Sequence, residues 1–154
     1  MLKLSTKSTY AIKALIYIAQ QNVVTPIRLS NISDDQKIPL PFLEQIFSTL
    51  RKAGVVEAIR GPLGGYKLLK KPEEVSMGDI VTALEGPLDP IMCTHPENRA
   101  VDCHEDGHCE SSQLCQNIDG AVQDILNKNT LATLLQSGNK SIFNNIPMQV
   151  QGIA

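Results

Sequence analysis

The sequence predicts a mainly α-helical protein with one small β-hairpin and one long helix near its carboxyl end. Apolar residues recur at helical spacing in four segments before residue 86 and in two after residue 110. A β-branched run followed by a glycine-rich turn has strand character. The 154 residues are within the size of one domain, although helical extensions can divide such a chain into a head and an arm.

The first predicted helix runs from Ser8 to Gln20. Its apolar residues recur at i, i+1, i+4, i+5, i+8 and i+9, and further apolar side chains make it apolar nearly all round. A helix of this kind is expected at the centre of a fold. Lys3 and Lys7 precede this helix, where their ammonium groups can reach a phosphate.

Two short helices follow, joined by a tight turn. The first is predicted from about Leu29 to Gln36, and the second from about Pro41 to Ala53, where Gly54 stops it. Proline is tolerated in a first turn because its missing N–H would have no partner there. The second helix carries one apolar stripe, and its outward face is polar and basic, which predicts a helix-turn-helix. The outward residues are Glu44, Gln45, Ser48, Arg51 and Lys52.

A β-hairpin is predicted directly after these helices. Val55 to Ile59 and Tyr66 to Leu69 are the strands, and Gly61 to Gly65 is the turn. A hairpin in this position is a wing, which argues against a generic three-helix bundle. Arg60 at its tip could enter a minor groove while the backbone approaches a phosphate. The turn lacks a following helix and a Gly-Lys-Ser/Thr ending, which argues against a nucleotide-binding loop.

Another helix is predicted from Met77 to Glu85. Ser76 stands before it and Asp79 follows three residues later, the arrangement of a capping box. Gly86 and Pro87 close the helix.

A longer helix is predicted from about Ser111 to Asn127, with an apolar stripe on an otherwise polar surface. We expect a symmetric copy to cover this stripe, because a small head has too little surface of its own to do so. Thr130 to Leu135 is predicted as a short last helix. The polar composition of residues 138–154 is typical of a flexible tail.

Charge is divided unevenly along the chain. The formal net charge is −2, but residues 1–72 carry eleven Lys and Arg against four Asp and Glu. Residues 73–154 carry three against twelve. A basic first half suggests a polyanionic partner such as nucleic acid, although solvated lysine-rich surfaces are also common.

All four cysteines lie in one segment, with the spacing Cys93-x9-Cys103-x5-Cys109-x5-Cys115. The residues between them are mostly small, polar or acidic and cannot form a core. The chain opens without a signal-peptide pattern and has no apolar run of a membrane span's length, so we expect a reducing cytoplasm. Stable disulfides are rare there, and the thiols are available as metal ligands.

The wide gaps between the cysteines favour an iron–sulfur cluster. Structural zinc usually takes paired Cys-x2–4-Cys knuckles, and none occurs here. Wider gaps suit a larger cluster that a loop can wrap around. A zinc site, a thiol-only sensor and four incidental thiols remain alternatives.

Three motifs identify a family resemblance: RGPLGGY at 60–66, FLEQIF at 42–47 with LRKAG at 50–54, and LSTK at 4–7 with Tyr10 and Ala11. The sequence resembles the Rrf2 family of winged-helix regulators over about residues 1–135. Cluster-bearing members of that family include IscR and NsrR. The resemblance implies a homodimeric transcription regulator that binds a pseudo-palindromic operator in double-stranded DNA through the third helix and the wing.

The resemblance also implies which residues contact DNA. Glu44 and Gln45 match outward residues of the family's recognition helix, and Arg60 matches its wing arginine. Lys7 matches the amino-terminal region that contacts phosphate. The full predicted DNA-binding set is Lys7, Pro41, Glu44, Gln45, Ser48, Arg51, Arg60 and Gly61.

The metal ligands match the family less cleanly. Cys103, Cys109 and Cys115 reproduce its Cys-x5-Cys-x5-Cys spacing. Cys93, however, lies at the distance from the preceding helix at which the family's first cysteine usually falls. All four are therefore candidate ligands of a [2Fe–2S] or [4Fe–4S] cluster. Ile118 occupies the position of a histidine found in IscR-like proteins. The remaining candidates for a fourth ligand are Cys93, His104, His108 and a group from the partner subunit.

These inferences divide the chain into four segments. Residues 1–86 form a winged helix-turn-helix DNA-binding domain, and residues 87–110 a cysteine-rich cluster-binding loop. Residues 111–137 form the dimerisation helix and short terminal helix, and residues 138–154 the tail. The sequence predicts a regulator that senses iron–sulfur status, redox state or nitric oxide. A thiol oxidoreductase is disfavoured because there is no Cys-x-x-Cys, no paired catalytic His and Asp, and no cofactor fingerprint.

Overall fold

The computed structural model of the chain describes residues 4–21, 25–86 and 112–137. It is mostly helical with one antiparallel β-hairpin, so the predicted winged-helix fold class is confirmed. The elements, in chain order, are α1 (Thr6–Gln20), α2 (Leu29–Gln36), α3 (Leu40–Lys52), β1 (Val56–Ile59), β2 (Gly65–Leu68), a 3₁₀ turn (Pro72–Glu74), α4 (Met77–Glu85), α5 (Ser112–Lys128) and α6 (Leu131–Ser137).

Helix α1 begins two residues earlier than predicted. Ser5 is its N-cap, and the Ser5 hydroxyl oxygen accepts a hydrogen bond from the Ser8 N–H at 3.2 Å. That bond satisfies one of the free N–H groups of the first turn, so the helix extends beyond the apolar pattern. Lys7 therefore lies inside the first turn of α1, and the prediction that it precedes the helix was wrong.

The core joins α1, α3 and α4. Leu15, Phe47 and Ile80 are fully buried, one from each of these helices. Burying a side chain of this size contributes about 1.5–3 kcal/mol. The Phe47 ring meets the ring of Tyr66 edge-on, with centroids 5.1 Å apart, which fixes the hairpin against α3.

The turn between α2 and α3 adopts a left-handed backbone conformation. Lys37 has φ 54° and ψ 43°, in the region that glycine prefers. Ser33 pins this turn: its carbonyl accepts from the Ile38 N–H at 3.2 Å, and its hydroxyl donates to the Ile38 carbonyl at 2.6 Å. A residue with a side chain rarely adopts this conformation, so the turn at Lys37 carries some backbone strain.

Helix α4 is bounded as predicted. Ser76 accepts from the Asp79 N–H at 3.0 Å, and the Asp79 carboxylate accepts from the Ser76 N–H at 3.1 Å. This reciprocal capping box fixes the start of the helix, and Gly86 with φ 86° ends it.

The carboxyl-terminal helices are tied to the head by backbone hydrogen bonds. The Met77 N–H donates to the Asn129 carbonyl at 2.7 Å, and the Leu131 N–H donates to the Val75 carbonyl at 2.9 Å. Leu131 is fully buried in the core. The turn between α5 and α6 is therefore part of the head's structure.

Helix α5 presents apolar side chains to solvent. Leu114 is 60% exposed, Ile118 42% and Ile125 62%. The predicted apolar stripe is thus confirmed, and the described residues leave these three side chains exposed. None of the described helices is long and apolar enough to cross a membrane. The predicted cysteine-rich loop at 87–110 and the tail at 138–154 lie outside the described residues.

Candidate nucleic-acid interface

One face of α3 is polar and free. Glu44, Gln45 and Arg51 are exposed and Ser48 is half-buried, while four residues on the other face are buried: Leu43, Ile46, Phe47 and Leu50. The predicted outward orientation is confirmed, because the apolar stripe faces the core. Contact of these side chains with DNA stays a prediction.

The amino-terminal end of α3 is suited to an anion. Pro39 is the N-cap, Pro41 is exposed in the first turn, and no acidic residue lies in that turn. A helix amino terminus carries a partial positive charge and attracts phosphate. The first turn of α3 could therefore approach a DNA backbone without repulsion.

The wing loop depends on its glycines. Gly61 has φ 119°, which a residue with a side chain rarely adopts. A Cβ atom on Gly65 would lie 2.5 Å from the Ile27 carbonyl carbon and oxygen. The RGPLGGY motif thus sets a tight loop pressed against the segment before α2, with Arg60 and Gly61 exposed at its start.

The wing is fastened to the amino-terminal end of α2 by contacts that sequence analysis missed. Ile27 and Tyr66 exchange two backbone hydrogen bonds, at 2.9 and 2.8 Å. The guanidinium of Arg28, the N-cap residue of α2, donates to the Pro62 carbonyl in the wing loop. These three bonds place the wing loop relative to the helix-turn-helix.

Three basic side chains of α3 and the wing have no acidic partner among the described residues. Within residues 4–21, 25–86 and 112–137, Arg51, Lys52 and Arg60 form no ion pair. Lys67 differs, because its ammonium pairs with Glu57 across the hairpin at 2.9 Å. The free charges of α3 and the wing are available to an anionic partner.

Lys7 lies in a different environment from the other predicted DNA contacts. It is half-buried, and its ammonium donates to the Leu84 carbonyl at 3.2 Å. The Glu85 carboxylate beside it accepts hydrogen bonds from the side chains of Ser8 and Ser5. The Ser8 bond is the largest cause that lowers the pKa of Glu85, and the Ser5 bonds and the charge of Lys7 act in the same direction.

The predicted cluster ligands fall almost entirely outside this surface. Cys93, Cys103 and Cys109 are not among the described residues, and Cys115 lies in the first turn of α5. Within the part of the chain that the structure describes, no group of three His, Cys, Asp or Glu residues could hold a metal. The ligand set therefore stays a prediction.

Comparison with known proteins gives one consistent result. Residues 4–137 match the Rrf2 family model, described as an iron-dependent transcriptional regulator. The chain is 35% identical over 135 residues to the HTH-type transcriptional regulator IscR of Vibrio atlanticus, covering 88% of this chain and 76% of that protein.

Solved structures agree with this match. CymR, described as the global cysteine regulator of B. subtilis, has a TM-score of 0.72 and 33% identity, covering 88% of this chain and 98% of that chain. IscR from T. potens has a TM-score of 0.70 and 30% identity, covering 98% of this chain and 94% of that chain. Both of these regulators share the fold of this chain.

Proposed function

This chain belongs to the Rrf2 family of transcriptional regulators, and on that premise we propose that it is a homodimer whose operator binding is controlled by an iron–sulfur cluster. The observation that carries the DNA-binding part is the free polar face of α3 beside a wing fixed to α2. The relatives are transcriptional regulators, and none of their names describes an enzyme.

The proposed DNA contacts follow from the shape of this surface. Helix α3 enters the major groove and presents Glu44, Gln45, Ser48 and Arg51 to base edges and phosphates. Arg60 enters the adjacent minor groove, while the Gly61 backbone lies close to a phosphate. Lys7 and Pro41 belong to the phosphate-contacting edge.

The proposed dimer uses the exposed face of α5. Seventeen residues of helix extend about 25 Å, enough for a continuous seam. Beside this helix lies an apolar groove of about 400 Å³ between α1, α4, α5 and α6, with Ile12, Val81 and Ile125 among its lining residues. A second copy that covers both surfaces would remove their apolar area from water.

The cysteine segment occupies the proposed switch position. Residues 87–110 connect α4 in the DNA-binding domain (1–86) to α5 in the dimerisation segment (111–137), and residues 138–154 form the tail. Thiolates are the donors that iron–sulfur clusters take, so Cys93, Cys103, Cys109 and Cys115 are the proposed ligand candidates. When bound, the cluster supplies redox-active iron that responds to oxidants or nitric oxide.

The four cysteines link the signal to DNA geometry in this proposal. When they bind the cluster, they would constrain the connecting segment and so set the tilt of α5. That tilt would set the distance between the two α3 recognition helices of the dimer. Both helices must meet major-groove faces about 34 Å apart. A change in separation would weaken operator binding by about 1–3 kcal/mol.

A cluster-free sensor on the same scaffold is the second candidate. The similarity to CymR, the global cysteine regulator of B. subtilis, favours this alternative. In that case the thiols would bind zinc or be oxidised directly.

The test is to purify the protein without oxygen and measure its absorbance spectrum, iron, sulfide and zinc. Binding to candidate operators is then measured with the protein as purified and after chelation of its metal. A coloured protein with equal iron and sulfide, and with metal-dependent operator affinity, supports the proposal. A colourless protein that binds an operator according to its thiol oxidation state supports the second candidate. Absence of operator binding in every state contradicts both.

A further inference from the structure

Leu63 lies at the tip of the wing and is almost completely exposed. Of the large apolar side chains that the structure describes, it is the most exposed, at 87%. The exposed side chains of α5 belong to the proposed dimer seam, but that seam does not include the wing. A single exposed leucine is common on protein surfaces, so exposure alone gives Leu63 no role. Its setting in the wing loop does.

The wing loop holds the backbone of Leu63 in a fixed position. Residues 61–64 form a tight turn, closed by a hydrogen bond of 2.9 Å from the Gly64 N–H to the Gly61 carbonyl. Pro62 presets the backbone of the position before Leu63. A Cβ atom on Gly64 would lie 2.8 Å from the Gly61 carbonyl oxygen, so the turn requires glycine there. The leucine side chain is therefore presented to solvent by a rigid turn.

The charge around Leu63 is positive. Arg60 is exposed three positions before it, and the Arg28 guanidinium donates to the carbonyl of the neighbouring Pro62. Residues 58–66 contain no acidic residue. A projecting aliphatic side chain beside an arginine is complementary to a DNA minor groove, where phosphates flank a floor of sugars and base edges.

We propose that Leu63 contacts base edges in the minor groove beside Arg60 and so gives the operator a preference for A·T pairs under the wing. The inference rests on the proposed DNA-binding function. In this groove a G·C pair presents the N2 amino group of guanine, which an A·T pair lacks. Adenine has a C–H group at the corresponding place, and an aliphatic side chain packs against it. The same side chain would cover the guanine amino group without accepting its hydrogen bond, which is costly.

The test measures operator affinity of Leu63→Ser, with Leu69→Ser as the matched control. Leu69 is 52% exposed in the same hairpin, but its N–H donates to the Val55 carbonyl at the end away from the turn. An operator is first selected from random duplex DNA with the wild-type protein. Hydroxyl-radical footprinting of wild type and Arg60→Ala then locates the base pairs under the wing. Those pairs are made A·T, G·C or inosine·cytosine, and the last lacks the amino group of guanine.

Wild type and Leu69→Ser should bind the G·C operator about fivefold or more weakly than the A·T operator, the lower end of the usual effect of one wrong base pair. They should bind the inosine operator as tightly as the A·T operator. Leu63→Ser should bind the A·T operator more weakly than wild type and lose most of the difference between operators. Its slope of log affinity against log salt concentration should equal that of wild type, because an apolar contact releases no counterions.

Three results would overturn the proposal, and they differ in what else they overturn. If Leu63→Ser keeps the wild-type affinity and base preference while Arg60→Ala binds weakly, the wing contacts DNA without Leu63. If wild type binds the inosine operator as weakly as the G·C operator, the amino group does not cause the preference. If Arg60→Ala also binds as wild type, the wing contact in the proposed function fails together with this inference. Circular dichroism of each variant establishes that it is folded.

Discussion

The fully buried Ser8 hydroxyl in α1 donates to Glu85 Oε1, at the last residue of α4. The same oxygen accepts from the Ser5 hydroxyl at 2.8 Å and from the Ser5 N–H at 3.3 Å. One carboxylate thus joins the amino-terminal cap of α1 to the end of α4.

Glu85→Gln should reduce the dependence of stability on pH in acid. Because the folded pKa of Glu85 is lowered, its ionised form stabilises the fold above the ordinary glutamate pKa. That contribution is lost as the pH falls through the lowered value. The melting temperature of Glu85→Gln should be lower than wild type at neutral pH, and the two should converge as the pH falls below the lowered pKa of Glu85. Glu73→Gln, an exposed carboxylate, is the control, and parallel profiles for Glu85→Gln and wild type would contradict the expectation.

Arg60→Ala should weaken operator binding by about 1–3 kcal/mol, as expected for one arginine inserted in a groove. Dimerisation and cluster content should not change. Fluorescence anisotropy with operator DNA at physiological salt measures the effect. Lys128→Ala removes the same charge from α5 and serves as the control. If Arg60→Ala binds the operator with wild-type affinity, the wing is not part of the DNA-binding surface.

Arg28→Ala should weaken operator binding through the wing. The Arg28 guanidinium holds the Pro62 carbonyl, so its loss frees the loop that carries Arg60. In a double-mutant cycle, the losses from Arg28→Ala and Arg60→Ala should therefore be less than additive. Fully additive losses would contradict this, and if Arg28→Ala also lowers the slope of affinity against salt by about one phosphate contact, Arg28 binds phosphate directly.

Ile118→Asp should give monomers. At a two-fold seam, the carboxylate would meet its own copy, and repulsion would add to the cost of burial. Sedimentation velocity measures the change. Gln116→Asp places the same charge on the opposite side of α5 and should leave the dimer intact. A dimeric Ile118→Asp protein would place the interface elsewhere.

Single cysteine replacements should identify the thiolate ligands. Cys109→Ala and Cys115→Ala should each bleach the protein, because an iron without its thiolate is open to solvent. If the Cys-x5-Cys spacing decides the third ligand, Cys103→Ala should bleach the protein too. If the distance from α4 decides it, Cys93→Ala should bleach the protein instead. Absorbance of protein purified without oxygen gives the answer. A coloured, stable Cys109→Ala protein would favour the thiol-only sensor.

Local patterns in the sequence predicted most of the fold. The bounds of α2 and α4 agree with apolar spacing and with the Ser76 and Asp79 capping pair. The outward face of α3 was predictable because its stripe places Leu43, Ile46 and Leu50 in the core. The start of α1 was missed because its cap, Ser5, lies several residues before the repeating apolar pattern of the helix begins.

Contacts between distant residues could not be predicted in this way. Arg28 and Pro62 are 34 positions apart, and no local signal connects them. The left-handed conformation of Lys37 depends on the hydrogen bonds between Ser33 and Ile38. Turn propensities of single residues do not predict those bonds. The environment of Lys7 depends on α4, 77 positions along the chain at Leu84.

Two backbone bonds, from Leu131 to Val75 and from Met77 to Asn129, bear on how the chain can be shortened. A fragment that ends after α4 would leave the Val75 carbonyl and the Met77 N–H without their partners. It would also remove the fully buried Leu131 from the core, leaving a cavity that costs about 2–5 kcal/mol. We therefore expect a fragment of the amino-terminal head alone to be much less stable, and truncation to be tolerated only beyond α6.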